Sequence, residues 1–269
     1  MSPDRAEAPA TPPFVFDDGA AYELMMGRWS ALVAKPFLDW LSLPDGLAWL
    51  DDGCGDGSFT ESLVLYQRPA TVVGVDPAPG QLSYARRRVN HAGVCFLQGD
   101  AQALPLPSAS VDAAVMALVL FFVPDPLQGV REMVRVVKDS GTVAAYQWDL
   151  DGGGLPLQPI LDALHAEGYK SQPPPSAWAA TMKASGDLWR SADLVDVRTC
   201  QFEVNRTFDS FDDYWRTAYG SPRLRELFAS LSPTALQRLA ERVSGRIGDA
   251  SDRPIVLTAR ANAVSGRKP

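Results

Sequence analysis

Three glycines and three aspartates occur together in the stretch LDDGCGDGSF, residues 50–59 of this 269-residue chain. Glycine allows backbone dihedral angles that a Cβ forbids, and it lets a ligand approach the chain closely. Because an apolar run precedes the stretch, we predict a strand that turns into a helix here. Such a turn brings backbone N–H groups and a helix N-terminus to a ligand, which favours a nucleotide-like molecule.

The spacing and charge of this glycine turn restrict the ligand. Gly53, Gly55 and Gly57 form G-x-G-x-G, whereas the dinucleotide fingerprint needs its third glycine at the position of Ser58. The carboxylates around the glycines would also repel a pyrophosphate and attract a cation. We therefore predict a cationic ligand, with an NAD-dependent oxidoreductase as one alternative.

Asp76 ends the next predicted strand, in the stretch VVGVDPAPG. An acidic side chain at this place can accept hydrogen bonds from both hydroxyls of a ribose. The alternative is that its carboxylate caps the following helix, which Pro77 and Pro79 suit, and both roles are compatible on different oxygens. The stretch thus indicates a ligand with a free ribose.

The stretch QGDAQALPLP follows the third predicted strand. Asp100 can accept a hydrogen bond from an exocyclic amine, and the N–H of Ala101 can donate one to a ring nitrogen. Together they would bind the edge of an adenine, although a Gly-Asp pair taken alone is more often a plain turn. Ribose, adenine and a cationic remainder together describe S-adenosylmethionine.

Five stretches resemble, in order and in register, the motifs of class I S-adenosylmethionine-dependent methyltransferases. They are LDDGCGDG, VVGVDPAPGQL, GDAQALPLP, SVDAAVMALVLFFVPDP and REMVRVVKDSGTVA. The resemblance covers about Tyr22 to Trp148 and is greatest to the type 11 branch, which contains the quinone-biosynthesis C-methyltransferases and many small-molecule enzymes. Each motif alone is common, but the set in register is specific.

The resemblance implies a role for each matched residue. At the methionine end of S-adenosylmethionine it implies Asp51, Gly53, Cys54 and Gly55, with Ala117 near the carboxylate and sulfur. At the ribose it implies Asp76 with the adjacent Pro77, and at the adenine it implies Asp100 and Ala101. AAYELMMGRWS resembles the family's lid helix, in which Tyr22 and Arg28 close over the methionine carboxylate. The alternative for the lid is that Arg28 and Trp29 are helix-packing residues.

The chain departs from the family's pattern at three places. Asp52 stands where Val or Ile is usual, Asp56 where Thr or Ser is common, and VKDSG replaces LKPGG. These positions adjoin the cofactor or lie in an outer turn, so they put its affinity in question more than its identity. They leave open a non-catalytic protein that binds the cofactor for regulation.

The chemistry implied by the resemblance is an in-line displacement on a methyl group that the cofactor's charge activates. The protein mainly aligns the acceptor, excludes water and, for some acceptors, removes a proton. Two residues are candidate bases: Asp149, at the carboxyl end of the fifth predicted strand, and His165, on the helix after it. The alternatives are that Asp149 starts a loop and that His165 is an exposed helix histidine.

Aromatic residues suggest where the acceptor binds. Trp215 and Tyr219 lie one helical turn apart in a predicted insertion, and with Trp148 they could line an apolar pocket. Packing of the insertion onto the core would explain the same pattern. The Asn or Asp, Pro-Pro and aromatic signature of the amino methyltransferases of DNA and some proteins is replaced by ALVLFF. We therefore predict a small-molecule acceptor.

Composition restricts the partners and the compartment. A net charge of −7 disfavours a nucleic-acid partner, and we expect the one basic run, Arg86 to Arg88, to be the exposed face of a helix. Three distant cysteines and two histidines give no metal-site or disulfide spacing, so we predict no bound metal and a reducing compartment. With no signal peptide or bilayer-spanning run, we expect a cytoplasmic protein without a membrane partner, either a monomer or a homodimer.

The elements that must position these residues alternate short apolar runs with helix-like stretches. Strands are predicted at 48–51, 71–75, 94–97, 111–118 and 142–147, in VDVRTCQFEVNRTF and in PIVLTARANAV. This pattern and the resemblance predict an α/β, Rossmann-like, doubly wound seven-stranded sheet, mostly parallel with an antiparallel last strand, and two helical stretches between the last two strands. Residues 1–14 are predicted to be disordered, 15–150 to form the cofactor-binding core with its lid helix, and 151–269 to complete the same domain with helical insertions that cap the substrate.

Overall fold

A seven-stranded sheet forms the centre of the computed structural model, which describes residues 19–169, 172–248 and 254–269. Its strands stand in the order β3-β2-β1-β4-β5-β7-β6. β1 to β5 run parallel, and β7 is antiparallel to both β5 and β6, which confirms the predicted fold class. The strands are β1 Ala48–Asp52, β2 Thr71–Asp76, β3 Val94–Gln98, β4 Val111–Ala117, β5 Val137–Trp148, β6 Val195–Phe208 and β7 Ile255–Arg267. The segment 1–14 lies outside the described residues.

Helices cover both faces of the sheet. In the described ranges they are α1 Gly19–Tyr22, α2 Arg28–Leu41, α3 Ser58–Gln67, α4 Pro79–Arg88, α5 Pro126–Val136, α6 Gln158–Ala166, α7 Met182–Ser191, α8 Phe211–Ala218, α9 Pro222–Ser230 and α10 Pro233–Ile247. A π-helical turn, Glu23–Gly27, joins α1 to α2. None of the described helices is both long and apolar enough to cross a membrane.

In the described residues between β6 and β7 there are three helices, not the predicted two. The additional one is α9, which begins after Gly220 where the side chain of Ser221 accepts a hydrogen bond from the N–H of Leu224 and Pro222 occupies the first turn. This Ser-Pro start repeats the signal at Ser232, which caps α10. Two separate caps therefore divide into α9 and α10 what composition alone does not separate.

The two faces of the sheet carry separate cores, because successive residues of a buried strand point to opposite sides. On β1, Trp49 belongs to the core under α2, α3, α6, α8, α9 and α10, whereas Leu50 belongs to the core under α5 and α7. Both side chains are fully buried. The carboxyl ends of the parallel strands therefore meet between two packed layers, at the edge where open α/β sheets place their ligands.

Candidate functional site

The backbone of the glycine turn is held by hydrogen bonds within the protein. The N–H groups of Gly53 and Cys54 both donate to the carbonyl of Val75, at 2.7 and 2.9 Å. The N–H of Gly55 donates to Oδ2 of Asp76 at 2.9 Å. These donors hold β1 against β2 and are not aimed at an anionic ligand, contrary to the role that the glycine pattern predicts for them.

The glycine turn presents acceptor atoms instead. Among the described residues, no donor reaches the carbonyl oxygen of Gly53 or of Gly55. Gly55 has a φ of +51°, and a Cβ built on it would meet nothing within 4 Å. A Cβ on Gly53 would clash with the methyl groups of Val119. The turn is thus open at Gly55, where carbonyl oxygens suit a cation better than a phosphate.

Asp51 is fully buried at the end of β1, immediately before the glycine turn. Its Oδ2 accepts a hydrogen bond from Oγ1 of Thr60 at 2.5 Å, and its Oδ1 has no partner within the described residues. Burial raises the pKa of this carboxyl to about 7, with Asp76 and Asp56 adding to the rise and the Thr60 hydroxyl opposing it. A cation beside Oδ1 would favour the ionised form.

Asp52 lies on the opposite face of β1, the face of Leu50. It is 1% exposed, and neither carboxyl oxygen has a hydrogen-bond partner in the described part of the chain. Burial, and then the charges of Asp51 and Asp76, raise its pKa well above the usual range. The departure from the family's Val or Ile thus places a carboxyl group in the core beneath α5.

A charged group that we call the lid cluster, Glu23, Asp56, Glu61 and Arg88, connects the π-helical turn to the glycine turn. Nη1 of Arg88 lies 2.6 Å from Glu23 and 2.9 Å from Asp56, and its Nε lies 3.0 Å from Glu61. Burial raises the pKa of Asp56 to about 6, although hydrogen bonds from Ser58 and the charge of Arg88 oppose the rise. Arg88 therefore binds between two elements, and the prediction of an exposed basic face is wrong for it.

The lid helix brings Tyr22 to the aspartates. Burial raises the pKa of the Tyr22 phenol, and the charges of Asp56, Tyr146 and Asp76 raise it further, because all three groups lie close to it. Arg28 begins α2 and is exposed. Tyr22 is thus placed at the glycine turn, while Arg28 lies at the start of the helix that follows.

Both carboxylate oxygens of Asp76 hold backbone groups. Oδ2 accepts the N–H of Gly55 at 2.9 Å, and Oδ1 accepts that of Ala78 at 2.8 Å. The bond to Ala78 is the local turn contact that the capping alternative predicts, just before α4 begins at Pro79. Together the two bonds fix the carboxylate between the glycine turn and α4, with the exposed Pro77 beside it.

Asp100 and Ala101 form a turn after β3. Oδ1 of Asp100 accepts the N–H of Gln102 at 2.8 Å, and its carbonyl accepts that of Ala103 at 2.9 Å. The side chain of Gln102 in turn accepts the N–H of Asp125, at the start of α5. Asp100 is exposed, and Ala101 packs half-buried against the core under α5. The turn therefore holds both residues at the same sheet edge as Asp76.

Cys54 lies within the glycine turn, whereas Ala117 ends β4, the strand next to β1. The Cys54 side chain packs with Leu82 and Phe96, and burial raises the pKa of its thiol, so only its backbone belongs to the turn. Ala117 ends β4 and is 8% exposed. The next residue, Leu118, has a φ of +64°, a conformation that costs a residue with a Cβ about 1–2 kcal/mol. Such strain concentrates at functional sites.

The two candidate bases lie in different surroundings. Asp149 accepts hydrogen bonds from the N–H of Gly152, from Asn262 and from Gln201, at 3.2 to 3.3 Å, and pairs with Arg260 at 3.6 Å. These contacts tie the loop after β5 to β6 and β7. His165 is exposed in the last turn of α6. No contact described for either residue reaches the glycine turn.

The aromatic residues predicted to line the acceptor pocket are divided between two places. Trp148 is 1% exposed and stands edge-on to Trp29 at 6.5 Å, beneath the lid helix. Trp215 stacks on Phe228 at 5.1 Å, and Tyr219 meets the same ring edge-on at 5.3 Å. These contacts join α8 to α9, as the packing alternative predicts.

Sequence reasoning missed the residues that the lid and β6 contribute. Glu23 and Arg88 of the lid cluster lie 65 positions apart, and no local motif signals their pairing. Arg206 lies between Val204 and Phe208 on the buried face of β6. The alternation of the sequence places it at a position where an apolar residue is expected, and this is the signal by which the sequence could have identified it. A charged side chain in such a series needs a partner or a ligand.

Comparison with known proteins assigns the fold and the site region to one family. Residues 50–145 match the family model described as "Methyltransferase domain". An uncharacterized protein of Mycobacterium tuberculosis is 27% identical over 203 residues, which cover 74% of this chain and 73% of that protein. The 2-phytyl-1,4-naphtoquinone methyltransferase of Thermosynechococcus vestitus is 38% identical over 109 residues, 40% of this chain, and the match spans about half (48%) of that enzyme.

The solved structure of a Haemonchus contortus phosphoethanolamine N-methyltransferase superposes with a TM-score of 0.55. Its identity to this chain is 14%, over 93% of this chain and 57% of that one, which shows a common fold. The fold, the glycine turn and the match to the methyltransferase domain agree with each other. Residues 50–145 of this chain form a methyltransferase domain, and the chain has the fold of S-adenosylmethionine-dependent methyltransferases.

Proposed function

We propose that the chain transfers a methyl group from S-adenosylmethionine to a small-molecule acceptor by in-line displacement. The observation that carries the proposal is the polarity of the glycine turn. The N–H groups of Gly53, Cys54 and Gly55 are used within the protein, while among the described residues the carbonyls of Gly53 and Gly55 and Oδ1 of Asp51 are available as acceptors. A pyrophosphate would find few donors there, whereas the ammonium group of the cofactor's methionine end would find acceptors.

We assign the remaining cofactor contacts to the same sheet edge. Asp76 would accept the ribose hydroxyls, and Asp100 with the N–H of Ala101 would bind the adenine edge, while the exposed Pro77 offers an apolar surface beside the ring. Ala117 would line the region near the methionine carboxylate. The phenol of Tyr22 is protonated at neutral pH, as an ordinary phenol is, and burial raises its pKa further, so it would donate a hydrogen bond over the turn.

When bound, the cofactor supplies a methyl group that its positive sulfur activates toward nucleophiles. The protein's part is to align the acceptor and to exclude water. The lid cluster holds the π-helical turn against the glycine turn, which closes the site from the α4 side. We assign to Asp149 the anchoring of the loop after β5, because four groups already occupy its carboxylate.

The acceptor class also belongs to this proposal. The relative from Thermosynechococcus vestitus is named for a quinone, an apolar ring. In this chain, Trp29 and Trp148 provide an aromatic surface beneath the lid helix. We therefore propose an acceptor with an apolar or aromatic body, bound between the lid helix and the carboxyl ends of β5 and β6.

Calorimetry with S-adenosylmethionine, S-adenosylhomocysteine and NAD tests the cofactor. We expect the first two to bind at micromolar affinity and NAD not to bind. Asp76→Asn should weaken binding, because it removes the charge at the ribose, whereas Asp139→Ala, an aspartate with an 85% exposed side chain, should not. Binding of NAD alone would refute the proposal, and tight cofactor binding without formation of S-adenosylhomocysteine over a broad acceptor panel would favour the regulatory alternative.

A further inference from the structure

The guanidinium of Arg206 is buried without an ion-pair partner in the described part of the chain. The residue is 8% exposed, and its Nη1 forms no hydrogen bond there. Its guanidinium carbon lies 4.4 Å from the ring centroid of Phe208 and 5.9 Å from that of Trp29. Arginine remains protonated in proteins, so these rings surround a full positive charge.

The charges around Arg206 do not neutralise it by contact. Burial, followed by the like charge of Arg28, lowers its pKa, while the charges of Asp213 and Glu23 act in the opposite direction. Glu23 is already paired with Arg88 at 2.6 Å. Neither Asp213 nor Glu23 forms an ion pair with Arg206 among those of the described residues. A buried charge in this state is costly unless an anion binds it.

A second buried donor lies around the same aromatic ring. The indole Nε1 of Trp148 has no hydrogen-bond partner within the described ranges, and the residue is 1% exposed. Its ring stands edge-on to Trp29, which also contacts the guanidinium of Arg206. Buried N–H groups are normally satisfied. Two unsatisfied donors around Trp29 therefore indicate a ligand with acceptor oxygens.

The place of β6 in the sheet separates Arg206 from the predicted cofactor contacts. β6 stands four strands away from β1, beyond β4, β5 and β7. At a spacing of about 4.8 Å per strand the separation is about 19 Å, which exceeds the reach of an arginine side chain. The predicted ribose and adenine contacts lie further still, at β2 and β3. Arg206 therefore faces the acceptor side of the site.

We propose that the methyl acceptor is an amphipathic acid whose carboxylate binds Arg206, with Arg28 and the indole N–H of Trp148 assisting. The inference rests on the proposed methyl transfer. The apolar body of the acid packs on Trp29 and Phe208, and the nucleophilic atom lies at the end remote from the carboxylate, toward β4 and the glycine turn. The carboxylate serves as an anchor that fixes the acceptor's orientation.

The test uses a matched pair of probes, 3-(4-hydroxyphenyl)propanoate and its neutral amide, titrated into the full-length protein saturated with S-adenosylhomocysteine. We expect the acid to bind the wild-type protein, and Arg206→Gln to weaken it about thirtyfold or more, the size of effect seen when a buried charge pair loses one partner. Arg216→Gln removes an exposed guanidinium from α8 and should leave binding unchanged. The amide should bind weakly to all three proteins.

Three results would overturn the proposal. If Arg206→Gln weakens S-adenosylhomocysteine itself while Arg216→Gln does not, the anion is the carboxylate of the cofactor. If S-adenosylhomocysteine binds but the acid binds no better than the amide, the acceptor is not held as an acid. If Asp213→Asn and Arg206→Gln both lower the melting temperature alike, Arg206 is a structural partner of Asp213; we expect Asp213→Asn to strengthen acid binding, because it removes a competing charge.

Failure of the proposed function gives a different result. In that case S-adenosylhomocysteine does not bind the wild-type protein at all. The acid is then titrated into the protein without cofactor, where preference for the acid over the amide and its loss in Arg206→Gln still report the anion site. Arg206→Lys keeps the charge without the planar fork and should bind the acid with intermediate affinity.

Discussion

Replacing Asp52 with valine should stabilise the protein, which is unusual for a residue at the edge of a cofactor site. Both carboxyl oxygens of Asp52 lack a hydrogen-bond partner among the described residues, and the side chain is 1% exposed. A buried polar group without partners costs about 1–3 kcal/mol. Asp52→Val removes that cost and places an apolar side chain in the core under α5. For a domain of this size we expect the melting temperature to rise by about 2–4 °C per kcal/mol.

The pH dependence of the free energy of unfolding is a second, independent measure of the burial of Asp52. The pKa of Asp52 is well above its value of about 3.9 in an unfolded chain, so the folded protein keeps a proton that the unfolded chain releases. The stability associated with this group is complete below about pH 4 and is lost as the pH rises toward the folded pKa. Each pH unit in that interval lowers the free energy of unfolding by about 1.4 kcal/mol.

Asp52→Asn separates the two effects, because it keeps an unsatisfied polar group but cannot ionise. We expect the free energy of unfolding of Asp52→Asn, relative to the wild-type protein, to increase as the pH rises above about 4, because the wild-type protein releases a proton on unfolding there and the variant does not. Asp52→Val should run parallel to Asp52→Asn and lie about 1–3 kcal/mol above it. Urea unfolding followed by tryptophan fluorescence measures all three proteins.

Parallel pH curves for the wild-type protein and Asp52→Asn would refute this reasoning, because they would mean that Asp52 is ionised in the folded state as it is in the unfolded chain. A loss of stability in Asp52→Val would refute the assignment of an unpartnered group. Binding of S-adenosylhomocysteine, measured on the same proteins, is the control for an intact site.

Three further predictions concern the glycine turn, the lid and the loop after β5. Gly53→Ala should lower the melting temperature strongly, because its Cβ would clash with Val119. Gly55→Ala should lower the free energy of unfolding by only about 1–2 kcal/mol, because its φ is positive, and its main effect should be weaker cofactor binding in calorimetry. Arg88→Met should destabilise the protein by about 3–5 kcal/mol at pH 8 and by less at pH 5, because Asp56, whose pKa is about 6, is largely protonated there; equal losses at both pH values would contradict the lid cluster. Asp149→Asn should lower the melting temperature and leave turnover unchanged, and a large fall in turnover with a normal melting temperature would restore its role as a base.

Cofactor affinity should also rise with pH. The pKa of Asp51 is about 7 and that of Asp56 about 6, and a bound cation favours the ionised forms of both. Calorimetry of S-adenosylhomocysteine from pH 6 to pH 8 should show tighter binding and proton release, and Asp51→Asn should flatten the trend. A wild-type affinity that is independent of pH would contradict the predicted contact with Asp51.

The sequence by itself determined the strand, turn and helix that carry the cofactor region. The apolar runs that precede Asp51 and end at Asp76 are local signals, and the structure has both strands where they were predicted. The order of the sheet also follows from alternation of strands and helices, because crossover connections have few allowed forms. The Ser-Pro start of α9 is a local signal as well.

What the side chains contact was decided only by the tertiary structure. Gly53 and Gly55 occupy equivalent places in the glycine pattern, but Gly53 packs against Val119 whereas the space beside Gly55 is open. The sequence predicts Asp149 as a candidate base at the carboxyl end of a strand, but its carboxylate binds side chains of β6 and β7 that are distant in the chain. Arg206 reads as one polar position in a strand, yet it lies buried beside Trp29. Such properties depend on which residues far apart in the chain come together, and a local pattern carries no information about that.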